Sequence, residues 1–219
     1  MIENSEYKKL EDMILKGTTT IGIVCQDGIV LATDTRVTMG YFVAHKRGKK
    51  IYKIEDHLAM TIAGVVADAQ NVVETLKANA NIFLLDKGRR MPVGVAARLA
   101  ANILFSSRGY PLVMQAIIGG VDDSGVHIFA IDPFGSVTEE TCVSTGSGSP
   151  VAYGVLEDGY RKDMSVREGI FLLVRAVNSA MKRDAGSGDS FDVVTVTRTE
   201  GYRELSDEEK KALALPVKV

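Results

Sequence analysis

The first part of the chain contains short runs of β-favouring residues that are separated by turn signals, a pattern typical of β-strands. Four runs are rich in Thr, Ile, Val or Tyr, and they cover residues 18–24, 29–33, 50–55 and 58–63. Asp27-Gly28 and Asp56-His57 separate the members of each pair, and such short polar dipeptides are typical of tight turns. We therefore predict two antiparallel hairpins.

The pattern then changes to the three-and-four spacing of amphipathic helices. Apolar residues recur at this spacing from Val66 to Leu84, and Gly88 is a typical C-cap. Pro92 suits the first turn of a second helix, which Arg108-Gly109 should end. Two consecutive helices of this kind are expected to form one layer.

Strand and helix patterns repeat in the second half. Residues 113–121, 126–131 and 136–143 predict a β-meander, and residues 191–197 predict a last strand before a charged tail. Between them, Ser149-Pro150 begins one helix, and Ser165-Val166-Arg167-Glu168 is a capping box that begins another. Strand runs that alternate with helix pairs predict an α+β fold, with two antiparallel sheets face to face and helices outside.

Composition narrows the class of protein. The 219 residues, 46% hydrophobic and 25% charged, are typical of a single globular domain. The formal net charge is −2 and the basic residues are scattered, so we expect no nucleic-acid partner. No apolar run approaches the roughly 20 residues that span a bilayer, and the charged residues 1–17 lack the apolar core of a secretory signal. We expect no membrane partner either.

The cysteines and histidines do not suggest a disulfide scaffold or a metal site. Cys25 and Cys142 lie in apolar, strand-like runs, which favours buried free thiols. His45, His57 and His127 lack the spacing that places metal ligands on one face.

A glycine-rich run at residues 144–150 precedes a predicted helix, where backbone N–H groups can hold a phosphate. Val151 stands where a dinucleotide fingerprint needs its third glycine, and the Gly-Lys-Ser/Thr of a P-loop is absent. We therefore predict a tight turn with polar hydroxyls.

The junction between the charged leader and the first strand carries the main catalytic candidate. Cleavage of the Gly17–Thr18 bond would give Thr18 a free α-amine beside its own hydroxyl. Such an amine, with a pKa of about 7.7 to 8.0, can accept the hydroxyl proton near neutral pH. Three consecutive threonines also suit the start of a strand, so residue types alone leave both interpretations open.

A set of motifs, in this order along the chain, resembles the β subunits of the 20S proteasome, most closely the archaeal type. They are Gly17 followed by TTTIGI, Asp34-Thr35-Arg36, GKK at 48–50, TIAG at 61–64, STGSGSP at 144–150 and RDAGSGD at 183–189. The similarity extends from Thr18 to near Tyr202. It implies an N-terminal-nucleophile hydrolase with a four-layer αββα sandwich. Residues 1–17 would be an autocleaved propeptide, and residues 18–219 a single catalytic domain.

The same resemblance implies a catalytic group centred on Thr18, as nucleophile and, through its amine, general base. Asp34 would pair with Lys50, whose ammonium would stand beside the threonine hydroxyl, and the Gly64 N–H would stabilise the oxyanion. Four further residues would support this group, namely Arg36, Ser147, Asp184 and Ser187. The substrate pocket would be lined by Val37, Thr38, Gly48, Tyr52, Ile62 and Val66.

The implied activity is that of a threonine endopeptidase that degrades unfolded proteins through an acyl-ester, without a cofactor or metal. Ile62 would make the pocket apolar, which favours a chymotrypsin-like preference. The implied partners are proteasome α subunits and other β subunits in an α7β7β7α7 barrel, with an ATPase ring, in the cytoplasm.

Two other interpretations remain open. Some proteasome β subunits keep the fold but serve only as ring members, although Thr18, Asp34 and Lys50 are all present here. The chain could instead be another N-terminal-nucleophile enzyme, either the bacterial proteasome-related peptidase or a small-molecule amidohydrolase. The long leader and the two glycine-rich motifs favour the proteasome.

Overall fold

The computed structural model describes residues 17–107, 109 and 111–214 of the chain. The predicted leader apart from Gly17, and Arg108 of the predicted helix end, lie outside these ranges. The described residues contain two five-stranded antiparallel sheets, a separate two-stranded hairpin and five helices. The helices are α1 (Val66–Lys87), α2 (Val93–Ser106), α3 (Ser149–Gly159), α4 (Val166–Met181) and α5 (Asp207–Ala214).

The first sheet carries both strands of the predicted first hairpin. Its strands are, in spatial order, β10 (Cys142–Thr145), β1 (Thr20–Val24), β2 (Gly28–Asp34), β11 (Phe191–Thr197) and β12 (Gly201–Glu204). The central strand β2 is buried along its whole length, which explains its continuous apolar run. Because Thr20 pairs with Thr33, the start of β1 and the end of β2 lie side by side at the same end of the sheet. This pairing brings Thr18 toward Asp34.

The second sheet contains the second predicted hairpin and the meander. Its strands are, in order, β5 (Ile51–Glu55), β6 (Leu58–Gly64), β7 (Met114–Asp122), β8 (Gly125–Ile131) and β9 (Val137–Glu140). Lys50 directly precedes β5, and Gly64 ends β6 beside it. Both residues therefore lie at the same end of these two antiparallel strands.

Three apolar layers hold the elements together. Ile29, Leu31 and Ile117 pack between the two sheets. The outer face of the first sheet packs on α3 and α4, and the outer face of the second sheet packs on α1 and α2. Each fully buried large aliphatic side chain contributes about 1.5 to 3 kcal/mol relative to exposure. The α+β fold and its αββα layering are thus confirmed.

Local signals at the helix ends are also confirmed. The Ser165 hydroxyl accepts a hydrogen bond from the Glu168 N–H, while the Glu168 carboxylate accepts one from the Ser165 N–H. Gly88 ends α1 in the left-handed conformation, with φ of 66°. Both cysteines are free thiols, and Cys25 is buried while Cys142 is half-buried.

The prediction of one strand over residues 136–143 was wrong. The chain bends at Thr141, so that β9 pairs with β8 in the second sheet while β10 pairs with β1 in the first. No turn dipeptide marks this bend, because the chain passes between layers and does not reverse within one sheet. The meander therefore ends with β9.

Three further elements were not predicted. A short hairpin pairs β3 (Val37–Met39) with β4 (Phe42–His45), and β12 extends the first sheet. Part of the predicted charged tail forms α5. No helix in the described ranges is long and apolar enough to cross a membrane.

Candidate active site

Thr18 lies just before β1, at the end of the first sheet that is near Lys50 of the second sheet. Its side chain is buried, and its hydroxyl donates a hydrogen bond of 2.5 Å to the carbonyl oxygen of Gly17. The Lys50 Nζ lies 3.5 Å from the same oxygen. The carbonyl of the predicted scissile bond is therefore placed between a hydroxyl and an ammonium.

Asp34 and Lys50 form a buried ion pair beside this carbonyl. Lys50 Nζ donates to Asp34 Oδ1 at 2.8 Å, and the side chains of Lys50 and Asp34 are 7% and 0% exposed. Asp34 also accepts backbone N–H bonds from Thr19 at 2.9 Å, Arg36 at 3.0 Å and Gly188 at 3.1 Å. Burial lowers the pKa of Lys50, and the adjacent Asp34 opposes this effect.

A second carboxylate, Asp184, organises the other side of Thr18. Ser147 Oγ accepts the N–H groups of Gly17 and Thr18, both at 3.3 Å, and donates to Asp184 Oδ2 at 2.7 Å. Ser187 Oγ donates to the same Oδ2 at 2.6 Å. The nitrogen that cleavage would turn into an amine is thus linked to Asp184 through Ser147.

The turn that carries Ser147 requires glycine. Gly146 has φ of 88°, and a Cβ there would lie 2.1 Å from the Thr18 carbonyl oxygen. The predicted tight turn with polar hydroxyls is therefore the structural element that brings Ser147 to Thr18.

Arg36 holds the loop that contains Asp184 and Ser187. Its Nε donates to Asp189 Oδ2 at 2.8 Å, and its Nη1 donates to the Ala185 carbonyl at 3.0 Å. The hydrogen bond from Arg36 lowers the pKa of Asp189, which adopts a left-handed φ of 66°. Arg36 thus fixes the loop, while its backbone N–H holds Asp34.

A cleft of about 680 Å³ opens in front of Thr18. All six predicted pocket residues line it, together with Thr18, Lys50 and Gly64. Sequence analysis missed further lining residues, namely Met39, Gly40, Ala44, His45, Arg47, Lys49, Val65 and Gln70. The lining is therefore apolar near Ile62 and Val66 and basic at His45, Arg47 and Lys49.

Gly64 borders the cleft but is not a hydrogen-bond donor to Gly17. Its φ is 133°, and a Cβ there would lie 2.2 Å from the Val113 carbonyl oxygen, so the position suits only glycine. Among the described residues, the Gly17 oxygen accepts from Thr18 Oγ1 and Lys50 Nζ.

Thr19 and Asp189 were missed by sequence analysis although both contact the predicted group. Thr19 Oγ1 lies 2.7 Å from Ser187 Oγ, and Asp189 pairs with Arg36. Thr19 is part of the TTT run, but nothing in the sequence says which hydroxyl faces Ser187. The described residues contain no cluster of three or more His, Cys, Asp or Glu side chains that could hold a metal.

Comparison with known proteins places the chain in one family. A sequence model described as proteasome subunit matches residues 14–196. The chain is 52% identical to the proteasome subunit beta of Ferroglobus placidus over 205 residues, 93% of the chain and 97% of the relative. It is 52% identical to that of Methanothermobacter thermautotrophicus over 195 residues, 89% of the chain and 93% of the relative. It is 48% identical to that of Archaeoglobus fulgidus over 206 residues, 94% of the chain and 97% of the relative. The chain therefore belongs to the proteasome subunit family, as a β subunit of the archaeal 20S type and a threonine endopeptidase.

Proposed function

We propose that the chain cuts itself between Gly17 and Thr18 and that Thr18 then hydrolyses peptide bonds as an N-terminal nucleophile. One observation carries this proposal, the Gly17 carbonyl oxygen held by Thr18 Oγ1 at 2.5 Å and near Lys50 Nζ at 3.5 Å. The nucleophile and a cation thus converge on the carbonyl group of Gly17, whose C–N bond to Thr18 is the one that maturation must break. Residues 1–17 would then be the propeptide and residues 18–219 the catalytic domain.

The first half of the reaction forms an ester. Thr18 Oγ attacks the carbonyl carbon of the bound peptide, and the hydroxyl proton passes to the Thr18 α-amine. The peptide C–N bond then breaks, and the amine returns the proton to the leaving nitrogen. The acyl group remains on Thr18 Oγ.

The second half releases the acyl group. A water molecule attacks the ester carbon and gives its proton to the same amine, which passes it to Thr18 Oγ as the C–O bond breaks. The free acid leaves, and the hydroxyl and neutral amine are restored.

The surrounding residues lower the cost of these steps. The Lys50 ammonium favours the developing alkoxide, and Asp34 holds the ammonium in place. Ser147, Asp184 and Ser187 orient the amine. The Gly64 N–H, at the border of the cleft, would donate a hydrogen bond to the oxyanion of a bound substrate, and losing such a donor costs about 2.7 to 4 kcal/mol.

We propose a preference for large apolar residues before the scissile bond, because Ile62 and Val66 line the cleft. Peptides that differ only at this residue test it, and Phe, Leu or Tyr should be cleaved at least about tenfold faster than Asp. The Val66→Glu variant should reduce this difference. Equal rates for all the peptides would contradict the preference.

The chain assembles with other proteasome subunits in the core particle. For the complete particle we propose an α7β7β7α7 barrel in the cytoplasm, in which Thr18 faces a closed chamber. Unfolded proteins delivered by an ATPase ring would be the substrates.

The Thr18→Ala and Thr18→Ser variants, assembled with the partner α subunit, test the mechanism. Thr18→Ala should neither lose its leader nor hydrolyse peptides. Thr18→Ser keeps a hydroxyl and should retain measurable processing and hydrolysis. Hydrolysis by Thr18→Ala would contradict the mechanism. A wild-type particle that does not hydrolyse peptides would instead favour the role of a purely structural ring member.

A further inference from the structure

We infer that Thr19 is a positioning residue, whose hydroxyl tunes the Thr18 amine through Ser187, Asp184 and Ser147. This inference rests on the proposed function of Thr18. We call the four residues Thr19, Ser187, Asp184 and Ser147 the Thr19 relay. No motif identified in the sequence assigns a role to Thr19.

The Thr19 relay is a continuous chain of short hydrogen bonds. Thr19 Oγ1 lies 2.7 Å from Ser187 Oγ, which lies 2.6 Å from Asp184 Oδ2. On the other side of the carboxylate, Ser147 Oγ lies 2.7 Å from the same Oδ2 and 3.3 Å from the Thr18 nitrogen. Thr19 and Ser187 are both completely buried, so water does not compete for their hydroxyls.

Counting protons fixes the direction of each bond. A serine hydroxyl has one proton to donate, and the Ser187 proton goes to Asp184, since an ionised carboxylate only accepts. Thr19 must therefore donate to Ser187. In such a chain each bond polarises the next, so the Thr19 bond strengthens the donation from Ser187 to Asp184.

The position of Thr19 is fixed from two more directions. Its N–H donates to Asp34 Oδ1, the same atom that Lys50 contacts. A Cβ on Gly148 would lie 1.9 Å from Thr19 Oγ1, so the absence of a side chain at Gly148 makes room for this hydroxyl. Thr19 thus contacts both carboxylates, Asp34 through its backbone and Asp184 through Ser187.

Loss of the Thr19 hydroxyl should therefore change the proton affinity of the amine. Without it, the Ser187 bond to Asp184 weakens, and more of the negative charge on Asp184 remains to favour a protonated amine through Ser147. The protonated amine cannot act as a base. The acidic limb of the kcat/KM profile should then shift upward by about half a pH unit.

The test uses the full-length chain assembled with its α partner, with kcat/KM for a fluorogenic peptide measured between about pH 5.5 and 9, a range that brackets the ordinary pKa of an α-amine. Thr19→Val keeps the shape and removes the hydroxyl, whereas Thr19→Ser keeps the hydroxyl. Thr20→Val is a matched control, because Thr20 is equally buried but its hydroxyl pairs with Thr145 Oγ1 at 2.6 Å, outside the Thr19 relay.

We expect the acidic limb to move upward in Thr19→Val and to stay in place in Thr19→Ser and Thr20→Val. A uniform loss of rate in Thr19→Val with an unmoved limb would show a merely structural role and overturn the inference. If Thr19→Val does not mature, Ser187→Ala removes the Asp184 donor that the Thr19 hydroxyl strengthens. This variant must then show the same upward shift, and an unmoved limb there overturns the inference equally. Failure of the proposed function is a separate result, since it would appear in the wild type as an intact leader or in Thr18→Ala as retained hydrolysis.

Discussion

The ammonium of Lys50 lies 2.8 Å from Asp34 Oδ1, and both groups are almost completely removed from water. Breaking such a buried pair from one side typically costs about 3 to 5 kcal/mol, because the remaining charge loses its partner. Three backbone N–H groups also hold Asp34 and should reduce that cost. The pair therefore has separable effects on stability and on the rate of hydrolysis.

Lys50→Ala should lower kcat by at least about 100-fold, because the developing alkoxide loses its neighbouring cation. The free energy of unfolding should also fall, by up to about 3 to 5 kcal/mol. Lys53→Ala is a matched control outside the cleft. Lys53 is exposed and pairs with Asp56 at 2.5 Å, and such surface pairs contribute at most about 1 kcal/mol. Peptide hydrolysis and denaturant unfolding measure both effects.

The double variant Asp34→Asn, Lys50→Ala separates the two effects of the pair. Neutralising residue 34 removes the unpaired buried charge, so stability should recover in part while the rate stays low. The recovery is incomplete because both carboxylate oxygens of Asp34 accept backbone N–H groups, and the NH2 of the asparagine side chain cannot accept in place of one of them. A normal rate in Lys50→Ala would show that this lysine does not support the nucleophile.

The alkaline limb of activity reports on the environment of Lys50. Burial lowers its pKa from the ordinary value of 10.5, so the ammonium is present below the lowered pKa and is lost as pH rises through it. Hydrolysis should therefore decline before pH 10.5 is reached. Measuring kcat/KM from about pH 8 to 11, with activity recovered on return to the starting pH, checks this. A rate that stays constant over the whole range would argue against it.

Gly17 should be needed for efficient maturation. It has φ of 85°, which strains any residue with a side chain, and a Cβ there would lie 2.0 Å from Thr38 Oγ1. Both effects in Gly17→Ala favour a displaced scissile carbonyl, away from Thr18 and Lys50. We expect processing to slow at least about tenfold, which corresponds to a displacement costing about 1.4 kcal/mol in the transition state.

Gly88→Ala is the control for backbone strain alone. Gly88 has a similar φ of 66° and lies at the end of α1, where a Cβ would meet no atom within 4 Å. The fraction of processed chain against time after mixing with α subunits is the measurement. Equal processing of Gly17→Ala and wild type would mean that the observed backbone conformation is not required.

The two thiols should be inert in the assembled particle. Burial raises the pKa of Cys25 to about 12 and that of Cys142 to about 11, so almost no thiolate exists near neutral pH. Iodoacetamide should leave hydrolysis unchanged and add no mass to the native subunit, whereas the unfolded chain should take up two groups. Inhibition by the reagent would point to a thiol at the catalytic site.

Much of the fold could be predicted because local and tertiary preferences agree. The hairpin around Asp27-Gly28 and the helix that begins at Ser165 combine an apolar pattern with a turn or cap signal. In the β3–β4 hairpin the apolar residues do not mark a buried face, because Met39, Tyr41 and Phe42 are all largely exposed. Its strands therefore could not be recognised from alternation.

The end of the chain shows a signal that was present but overlooked. Ser206 and Glu209 exchange N–H hydrogen bonds at the start of α5, as Ser165 and Glu168 do at the start of α4. The following residues are mostly charged, so no apolar stripe supported a helix there. The capping box was therefore the one sequence signal for α5, because hydrophobic periodicity did not indicate a helix there.

The candidate site depends on contacts between distant parts of the chain. Thr18, Asp34 and Lys50 were named through the resemblance of their motifs, because no sequence spacing reveals that the end of β2 meets the start of β5. Thr19 could not be named, since the direction of its hydroxyl depends on its packing against Ser187 and Gly148. These contacts are set by the packing of the two sheets against each other, which hydrophobic periodicity along the chain does not reveal.

Intact mass spectrometry of the subunit, taken from particles assembled with the partner α subunit, tests the central claim most directly. We expect a mass that begins at Thr18, because only then does the free amine exist. A fully assembled and peptide-hydrolysing particle whose subunit still carries residues 1–17 would contradict the proposed mechanism.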